Sequence, residues 1–138
     1  MARNTDMLPG GTAIELSGRT FELAFTLDAV DEVCAAFDVP VNGIADILRG
    51  SDKDGFRGKI IKMLAVLINS GLNAHNEDYP DDQQEPVTET WLKRRLTPVS
   101  FAAAYDALVN AYIRGFINAN GTRDEDDISE DPNRSRAT

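Results

Sequence analysis

The sequence predicts a mainly α-helical, single-domain protein with a short N-terminal β-hairpin, about five helices and a disordered acidic C-terminal tail. Three observations lead to this fold class. Apolar residues alternate with a period of two over residues 14–25, and they recur at three- and four-residue spacing from there to residue 119. The chain has 138 residues, of which 42% are hydrophobic, and these values are typical of one domain with one core.

The N-terminal alternation predicts the hairpin. Its apolar side chains share one face, and they are Ile14, Leu16, Phe21, Leu23 and Phe25. Ser17-Gly18-Arg19 interrupts the alternation, as a turn between two strands does. Because a two-stranded hairpin alone is only marginally stable in water, its apolar face is expected to lie on the helices.

The change of period at Thr26 predicts two short helices. The first covers residues 27–38, begins after the capping side chain of Thr26 and ends before Pro40. The second covers residues 41–49 and ends at Gly50. The apolar side chains of the second helix are Val41, Ile44, Ile47 and Leu48.

A third, longer helix is expected at the centre of the fold. It begins at Ser51 or Asp52 and ends near Gly71 to Asn73. Its middle, residues 60–68, is apolar on nearly all sides, which is typical of a helix buried by several neighbours.

Two more helices follow an acidic segment. Pro86 and Thr88 introduce the first, which contains Trp91 and, on its other side, the basic cluster Lys93-Arg94-Arg95. Thr97-Pro98 then restarts the chain as a helix over residues 98–119, because proline is favoured at the first helical position.

Most of the formal charge of −9 lies in two segments. Residues 77–85 hold five acids and no base, and residues 121–138 hold six acids and three bases. Both are poor in aliphatic residues, so neither can bury enough surface to offset the entropy of ordering. The predicted organisation is therefore a helical domain over 12–120 with an acidic loop at 76–86, a flexible N-terminus over 1–11 and a disordered tail.

Composition also predicts where in the cell the protein is located and which classes of partner it does not bind. The chain has neither a run of roughly 18 apolar residues nor a secretory signal, so no membrane association is expected. Cys34 is the only cysteine, which fits a reducing cytoplasm. The acidic balance argues against binding to a phosphate backbone, and no nucleic acid partner is expected.

Few residues suit catalysis or metal binding. His75 is the only histidine, so a catalytic triad or a two-histidine metal site is impossible within one chain. It is interpreted as a solvated or helix-terminal histidine, and Cys34 as a buried, inert thiol. Asp52-Lys53-Asp54-Gly55 lacks the acid that would close a calcium loop. We expect a protein that is not an enzyme and has no catalytic, cofactor-binding or metal-binding residues.

Two groups of side chains are candidates for binding a partner protein. The first group lies on one stripe of the last helix, and consists of Phe101, Tyr105, Tyr112 and Phe116. Core packing explains this stripe, and a surface for a partner helix is the alternative. The second group is Trp91 with Arg94 and Arg95, which are predicted to meet either an acidic partner or the acidic segment of the chain itself.

Gly55-Phe56-Arg57-Gly58 supplies an alternative function. It matches the G-x-x-G turn of KH RNA-binding domains, which would make the protein a small intracellular regulatory or RNA-binding domain. The other interpretation is that both glycines lie in the first turns of the third helix, where a neighbour packs closely.

Residues 14–30, Ile-Glu-Leu-Ser-Gly-Arg-Thr-Phe-Glu-Leu-Ala-Phe-Thr-Leu-Asp-Ala-Val, resemble the start of tail assembly chaperones of long-tailed bacteriophages and prophages. In that family, a hairpin of the form I-x-L-x-G-x-x-Y/F-x-L-x-F leads into a helix that begins T-x-x-A. The short helix over 41–48, the apolar helix after it and a final pair of helices extend the resemblance over residues 12–120, and the longer acidic loop departs from it.

The resemblance implies a function. Such a protein would act in the host cytoplasm, bind the long helical tape measure protein, keep it soluble and recruit tail tube subunits around it. It would bind as single copies or as a ring or spiral, and it would be absent from the mature virion. A longer form made by ribosomal frameshifting is a further expectation that the resemblance carries.

Overall fold

A computed structural model of the chain describes residues 10–50 and 55–117. Over these ranges it confirms the predicted fold class, a two-stranded antiparallel hairpin followed by five α-helices. The elements are β1 (Thr12–Leu16), β2 (Arg19–Leu23), α1 (Leu27–Phe37), α2 (Gly43–Arg49), α3 (Phe56–Asp78), α4 (Glu89–Arg95) and α5 (Pro98–Tyr112). Residues 1–9 and the predicted tail over 121–138 lie outside the described ranges. The predicted start of the third helix at Ser51 or Asp52 is wrong, because α3 begins at Phe56, directly after Gly55, whose φ of 70° is not helical.

The hairpin forms as the alternation predicts. Ile14 faces Phe21, and Leu16 faces Arg19 on either side of a two-residue turn. Both turn residues have positive φ, 52° at Ser17 and 78° at Gly18, which is the backbone that tight hairpin turns need. Leu16, Phe21 and Leu23 are buried, so the apolar face of the hairpin lies on the helices as expected.

The first helix is also confirmed, and the second is shorter than predicted. The Thr26 hydroxyl accepts a hydrogen bond from the Ala29 N–H over 3.2 Å and so caps α1. Before α2, the Gly43 N–H donates to the Pro40 carbonyl over 2.8 Å in a turn. This turn occupies the predicted first residues of α2, and Val41, expected on the apolar face, is 49% exposed.

Helix α3 is the central element, as predicted. It contacts all four other α-helices and β2. Its buried residues occur at nearly consecutive positions, and they are Ile60, Ile61, Met63, Leu64, Ala65, Leu67, Ile68 and Ser70. A helix that is buried at adjacent positions has neighbours on most sides, so one core forms around it.

The predicted end of α3 near Gly71 to Asn73 is wrong, because the helix continues to Asp78. The acidic segment that was expected to be a loop from residue 76 therefore begins inside the helix. Leu72 packs against the core, and such packing outweighs the roughly 1 kcal/mol by which glycine disfavours a helix. The exposed loop itself starts at Tyr79, whose N–H donates to the His75 carbonyl over 2.8 Å.

Two asparagines of α3 hold the loop to the helix. The Asn69 amide bonds both backbone groups of Val87, donating to its carbonyl over 2.9 Å and accepting from its N–H over 2.8 Å. Asn76 does the same with Gln84, over 3.0 and 2.7 Å. Because these residues are seven apart on one helix, they lie on the same face. The loop is exposed as predicted, but its backbone is fastened at two points.

The last two helices begin at the predicted caps. The Thr88 hydroxyl accepts from the Trp91 N–H over 3.0 Å at the start of α4. At the start of α5, Thr97 and Ser100 form a reciprocal capping box with proline in the first turn. Helix α5 changes to a π-helical segment over Ile113–Ile117, and the remainder of the predicted helix lies outside the described residues.

Residues near the N-terminus contact this π-helical segment. Arg114 donates to the Gly11 carbonyl over 3.1 Å, and a Cβ at Gly10 would lie 3.4 Å from the Arg114 Cβ. The Thr12 hydroxyl donates to the Ala107 carbonyl over 2.8 Å and joins β1 to α5. Of the N-terminus predicted to be flexible, Gly10 and Gly11 are thus held against the end of α5.

Candidate partner-binding surface

Trp91 is held half-buried at the surface between the hairpin and α4. Its ring meets the Phe21 ring edge to face, with the centroids 5.8 Å apart. The Arg95 guanidinium lies 4.4 Å from the Trp91 ring centroid, and the Arg19 guanidinium lies 5.7 Å from it. A guanidinium over an indole is attracted by the negative face of the ring, so both cations stabilise the exposed position of Trp91.

Arg19 also fixes the acidic loop beside this surface. Its guanidinium lies 4.7 Å from the Phe21 ring centroid and donates to the Glu85 carbonyl over 3.3 Å. We call Arg19, Trp91, Arg94 and Arg95 the Trp91 surface, which lies beside the buried Phe21 ring. Neither Arg19 nor the contact with Phe21 was predicted from the sequence. The signal for both was the period of two in β2, which places residues 19 and 21 on one face of the strand.

The positive charge of this surface has no carboxylate partner in the parts of the chain that the structure describes. Lys93, Arg94 and Arg95 are exposed in the last turn of α4. No ion pair over residues 10–50 and 55–117 joins them, or Arg19, to an acidic side chain. The basic cluster was predicted to meet either an acidic partner or the chain's own acidic segment. In the structure, which describes both the cluster and segment 77–85 in full, the carboxylates of that segment form no ion pair with the cluster.

Phe101 and Tyr105 of α5 pack against the core. Tyr105 meets the Phe56 ring edge to face with centroids 5.6 Å apart, and its hydroxyl donates to the Leu48 carbonyl. Both aromatic residues are partly buried. This half of the stripe joins α5 to the end of α2 and the start of α3.

Tyr112 and Phe116 form the other half of the stripe. Their rings stack with centroids 4.6 Å apart, and the Phe25 ring lies 5.8 Å from Tyr112 and 5.5 Å from Phe116. A Cβ at Gly115 would lie 3.1 Å from the Phe25 Cβ, so the backbone approaches Phe25 closely here. The structure thus divides the predicted stripe into two contacts, one with the α2–α3 region and one with Phe25 in the segment between β2 and α1.

Exposed apolar side chains that the sequence analysis missed lie at helix ends. Leu27 is 86% exposed, Val99 is 81% exposed and Ile117 is 65% exposed. Leu27 and Val99 are in the first turns of α1 and α5. Val99 follows Thr97-Pro98, so its place in the first turn of a helix was the available signal. Leu27 has the three- and four-residue spacing of the apolar side chains of α1, so nothing in the sequence indicated its exposure.

His75 lies in the last turn of α3, as expected for a helix-terminal histidine. Its Nε2 is 3.0 Å from an Asp82 carboxylate oxygen and 3.0 Å from the Asp82 carbonyl oxygen, and its ring lies against Tyr79 at 4.9 Å. These contacts hold the first residues of the loop. Cys34 is a free, partly buried thiol.

The G-x-x-G turn does not form a loop between helices. Gly55 is the residue before α3, with φ of 70°, and Gly58 lies inside the first turn of α3. The expectation that a neighbour packs closely on these glycines is wrong, because among the described residues no atom beyond the adjoining backbone lies within 4 Å of a Cβ built at either. No observation here favours the RNA-binding alternative.

Neither a metal-binding cluster nor a membrane-spanning helix is found among the described residues. Over residues 10–50 and 55–117, no three or more His, Cys, Asp or Glu side chains are grouped so that they could hold a metal ion. Over the same ranges, every helix is too short or too polar to cross a bilayer.

Comparison of the chain with protein-family models, with curated proteins and with solved structures found no match.

Proposed function

We propose that this protein is a non-enzymatic tail assembly chaperone of a long-tailed bacteriophage or prophage. It binds the tape measure protein in the host cytoplasm, keeps it soluble and recruits tail tube subunits before the tail is complete. Two features support the proposal: the hairpin pattern over residues 14–30, and a helical body in which that hairpin packs on α3 and α5.

The observation that carries the proposal is the Trp91 surface. A large aromatic ring remains partly exposed close to two guanidinium groups, and Arg94 beside it has no carboxylate partner among the described residues. Tryptophan and arginine are enriched among the residues that contribute most to protein–protein binding. This combination suits a helix with an apolar stripe bordered by acidic side chains.

The α5 aromatic residues have a different role in this proposal. Phe101, Tyr105, Tyr112 and Phe116 hold α5 to the rest of the body, so they support binding by maintaining the fold. The partner contact is assigned to Trp91, Arg94 and Arg95. Several copies bound side by side, as a ring or spiral, would cover a long helical partner.

Co-expression with the tape measure protein of the same genome tests this function. We expect the two proteins to purify together, and the soluble fraction of the tape measure protein to rise. Trp91→Ala and Arg94→Glu should each weaken the association by about tenfold or more, the effect of losing one strong interface residue. Arg57→Glu is the matched control, because Arg57 is exposed in the first turn of α3 and is not one of the residues of this surface.

Circular dichroism of each variant separates lost binding from lost folding. Failure of the folded wild-type protein to bind or solubilise the tape measure protein would overturn the proposal. Equal loss of binding in Arg94→Glu and Arg57→Glu would remove the Trp91 surface from it. Nucleic acid that stays with the protein through high salt would instead favour the RNA-binding alternative.

A further inference from the structure

A polar cleft of about 680 Å³ lies between the start of α1, the last turns of α3 and the acidic loop. It contains none of the residues of the Trp91 surface, so what it binds is independent of the function proposed above. Carboxylates come from two of these elements, Asp28 and Glu32 from α1 and Glu77 from α3. None of the side chains that form its wall is cationic.

Ser70 forms part of the inner wall of this cleft. It is 9% exposed and is the only buried polar residue of the described core. Over residues 10–50 and 55–117, its hydroxyl has no hydrogen-bond partner. Burying an unpaired hydroxyl costs about 1–3 kcal/mol. A ligand that enters the cleft and forms a hydrogen bond with Ser70 would remove this cost.

The hydrogen-bonding groups of the cleft are mainly acceptors. The Gln83 amide nitrogen already donates to the Asn76 and Pro80 carbonyls, over 3.0 and 3.2 Å, which leaves the amide oxygen. The Thr26 hydroxyl already accepts from the Ala29 N–H. What remains toward the cleft are three carboxylates, the Gln83 oxygen, the Asn73 amide and the Ser70 hydroxyl. Such a set complements a ligand that is rich in donors.

Charge near the cleft selects the same ligand. The neighbouring segment 77–85 holds five acids and no base, and the carbonyl end of α3, a 23-residue helix, points toward it. A helix C-terminus favours cations, and the opposite preference of the α1 N-terminus in the same cleft is met by Asp28 in its first turn. The carboxylates of the described chain are not grouped tightly enough to hold one metal ion, so a larger cation with donors spread over several atoms fits better than a single ion.

We propose that this cleft binds an organic cation with several N–H donors, a guanidinium or an alkylammonium group. The Ser70 hydroxyl accepts one donor at the inner wall, and Glu32 and Glu77 accept others from opposite sides. The same chemistry is present in the arginine and lysine side chains of a partner polypeptide and in free polyamines.

Nuclear magnetic resonance titration of the full chain distinguishes these sources. The probes are spermidine, N-acetyl-arginyl-arginine amide and the same dipeptide with both arginines replaced by citrulline, which is neutral. We expect saturable shifts of the Ser70 and Asn73 amide signals with at least one cationic probe and none with the citrulline probe. Binding of spermidine alone assigns the site to polyamines, and binding of the arginine probe assigns it to basic side chains.

Paired variants test the site itself. Glu32→Gln/Glu77→Gln should raise the dissociation constant by about tenfold or more, and Glu15→Gln/Asp106→Asn, which changes the charge equally elsewhere, by less than about twofold. Ser70→Ala should raise it by about three- to tenfold without lowering the melting temperature, because it removes an unpaired hydroxyl.

Three results would overturn the site. These are the absence of saturable shifts at about 10 mM probe, a concentration that detects even weak ligands, equal weakening in both double variants, and a Ser70→Ala protein less stable than the wild type.

Discussion

The side-chain amide of Asn69 pairs with both backbone groups of Val87, eighteen residues further along the chain. The two hydrogen bonds have the pattern of a residue pair in a β-sheet, with the Asn69 side-chain amide in place of the second backbone. Val87 itself is only 5% exposed. Buried backbone groups need partners, and here α3 supplies them to a segment that has no regular structure of its own. This relationship lets the acidic loop end in the core, beside the start of α4.

Asn69→Ala should therefore lower the free energy of unfolding by about 2–3 kcal/mol, because it leaves a buried N–H and carbonyl without partners. Urea denaturation followed by Trp91 fluorescence measures the change. Asn110→Ala is the control, since Asn110 is exposed on α5, and its effect should stay within about 0.5 kcal/mol. Equal effects of the two substitutions would contradict this role of Asn69.

Asn76→Ala should loosen the loop without unfolding the protein. Asn76 holds only the Gln84 backbone, so the free energy of local opening falls by about 1–2 kcal/mol. Cleavage at Glu85 by a glutamate-specific protease should accelerate by about 5–30-fold, the factor that this free energy represents. Gln84→Ala, which keeps both backbone bonds, should cleave at nearly the wild-type rate, and faster cleavage there would argue against the asparagine contact.

Gly55→Ala and Gly58→Ala should change stability in opposite directions. Gly55 has φ of 70°, so an alanine there is strained by about 1 kcal/mol. Gly58 lies in helical backbone with open space around a Cβ, so alanine should stabilise the protein by about 0.5–1 kcal/mol. Thermal unfolding by circular dichroism measures both changes, and a destabilising Gly58→Ala would show that a neighbour packs on this residue after all.

Tyr105→Phe should lower the free energy of unfolding by about 1 kcal/mol, because it removes only the hydroxyl that donates to the Leu48 carbonyl. The Leu48 carbonyl lies at the end of α2, so amide exchange should quicken there first. Phe101→Leu, which removes a ring but no hydrogen bond, is the comparison. An unchanged stability in Tyr105→Phe would show that water replaces the hydroxyl without cost.

Replacement of both Tyr112 and Phe116 by alanine should lower the free energy of unfolding by about 3 kcal/mol or more, because it empties the contact with Phe25. Circular dichroism in urea measures the loss. Val99→Ala on the same helix should change it by less than about 0.5 kcal/mol, since Val99 is 81% exposed. A double variant of wild-type stability that no longer binds the tape measure protein would return these two residues to the partner surface.

Local signals in the sequence were sufficient for most of the fold. The alternation over residues 14–25, the capping threonines at 26, 88 and 97, and the apolar run over 60–68 each predict an element that the structure contains. These signals act between residues that are close along the chain, such as a cap hydroxyl and an amide three residues later. They can be recognised without any tertiary contact.

Contacts across the chain decided what the local signals left open. Helix α3 continues past Gly71 because Leu72 reaches the core and because Asn76 bonds Gln84, and neither partner is visible from helix propensity. The candidate surface shows the same limit. The sequence names Trp91 and its basic neighbours, whereas Arg19 joins them only because β2 lies beside α4.

By itself, then, the sequence determined the fold class, the order of the elements, the threonine caps of α1, α4 and α5, and the identity of the central helix. Tertiary structure alone decided which aromatic residues of α5 face other elements, how the acidic loop is fastened, and that Ser70 is buried in a cleft between two elements distant in the chain. The reason is physical. Periodicity and capping depend on backbone geometry over one or two turns, whereas burial and pairing depend on which distant segments the whole core brings together.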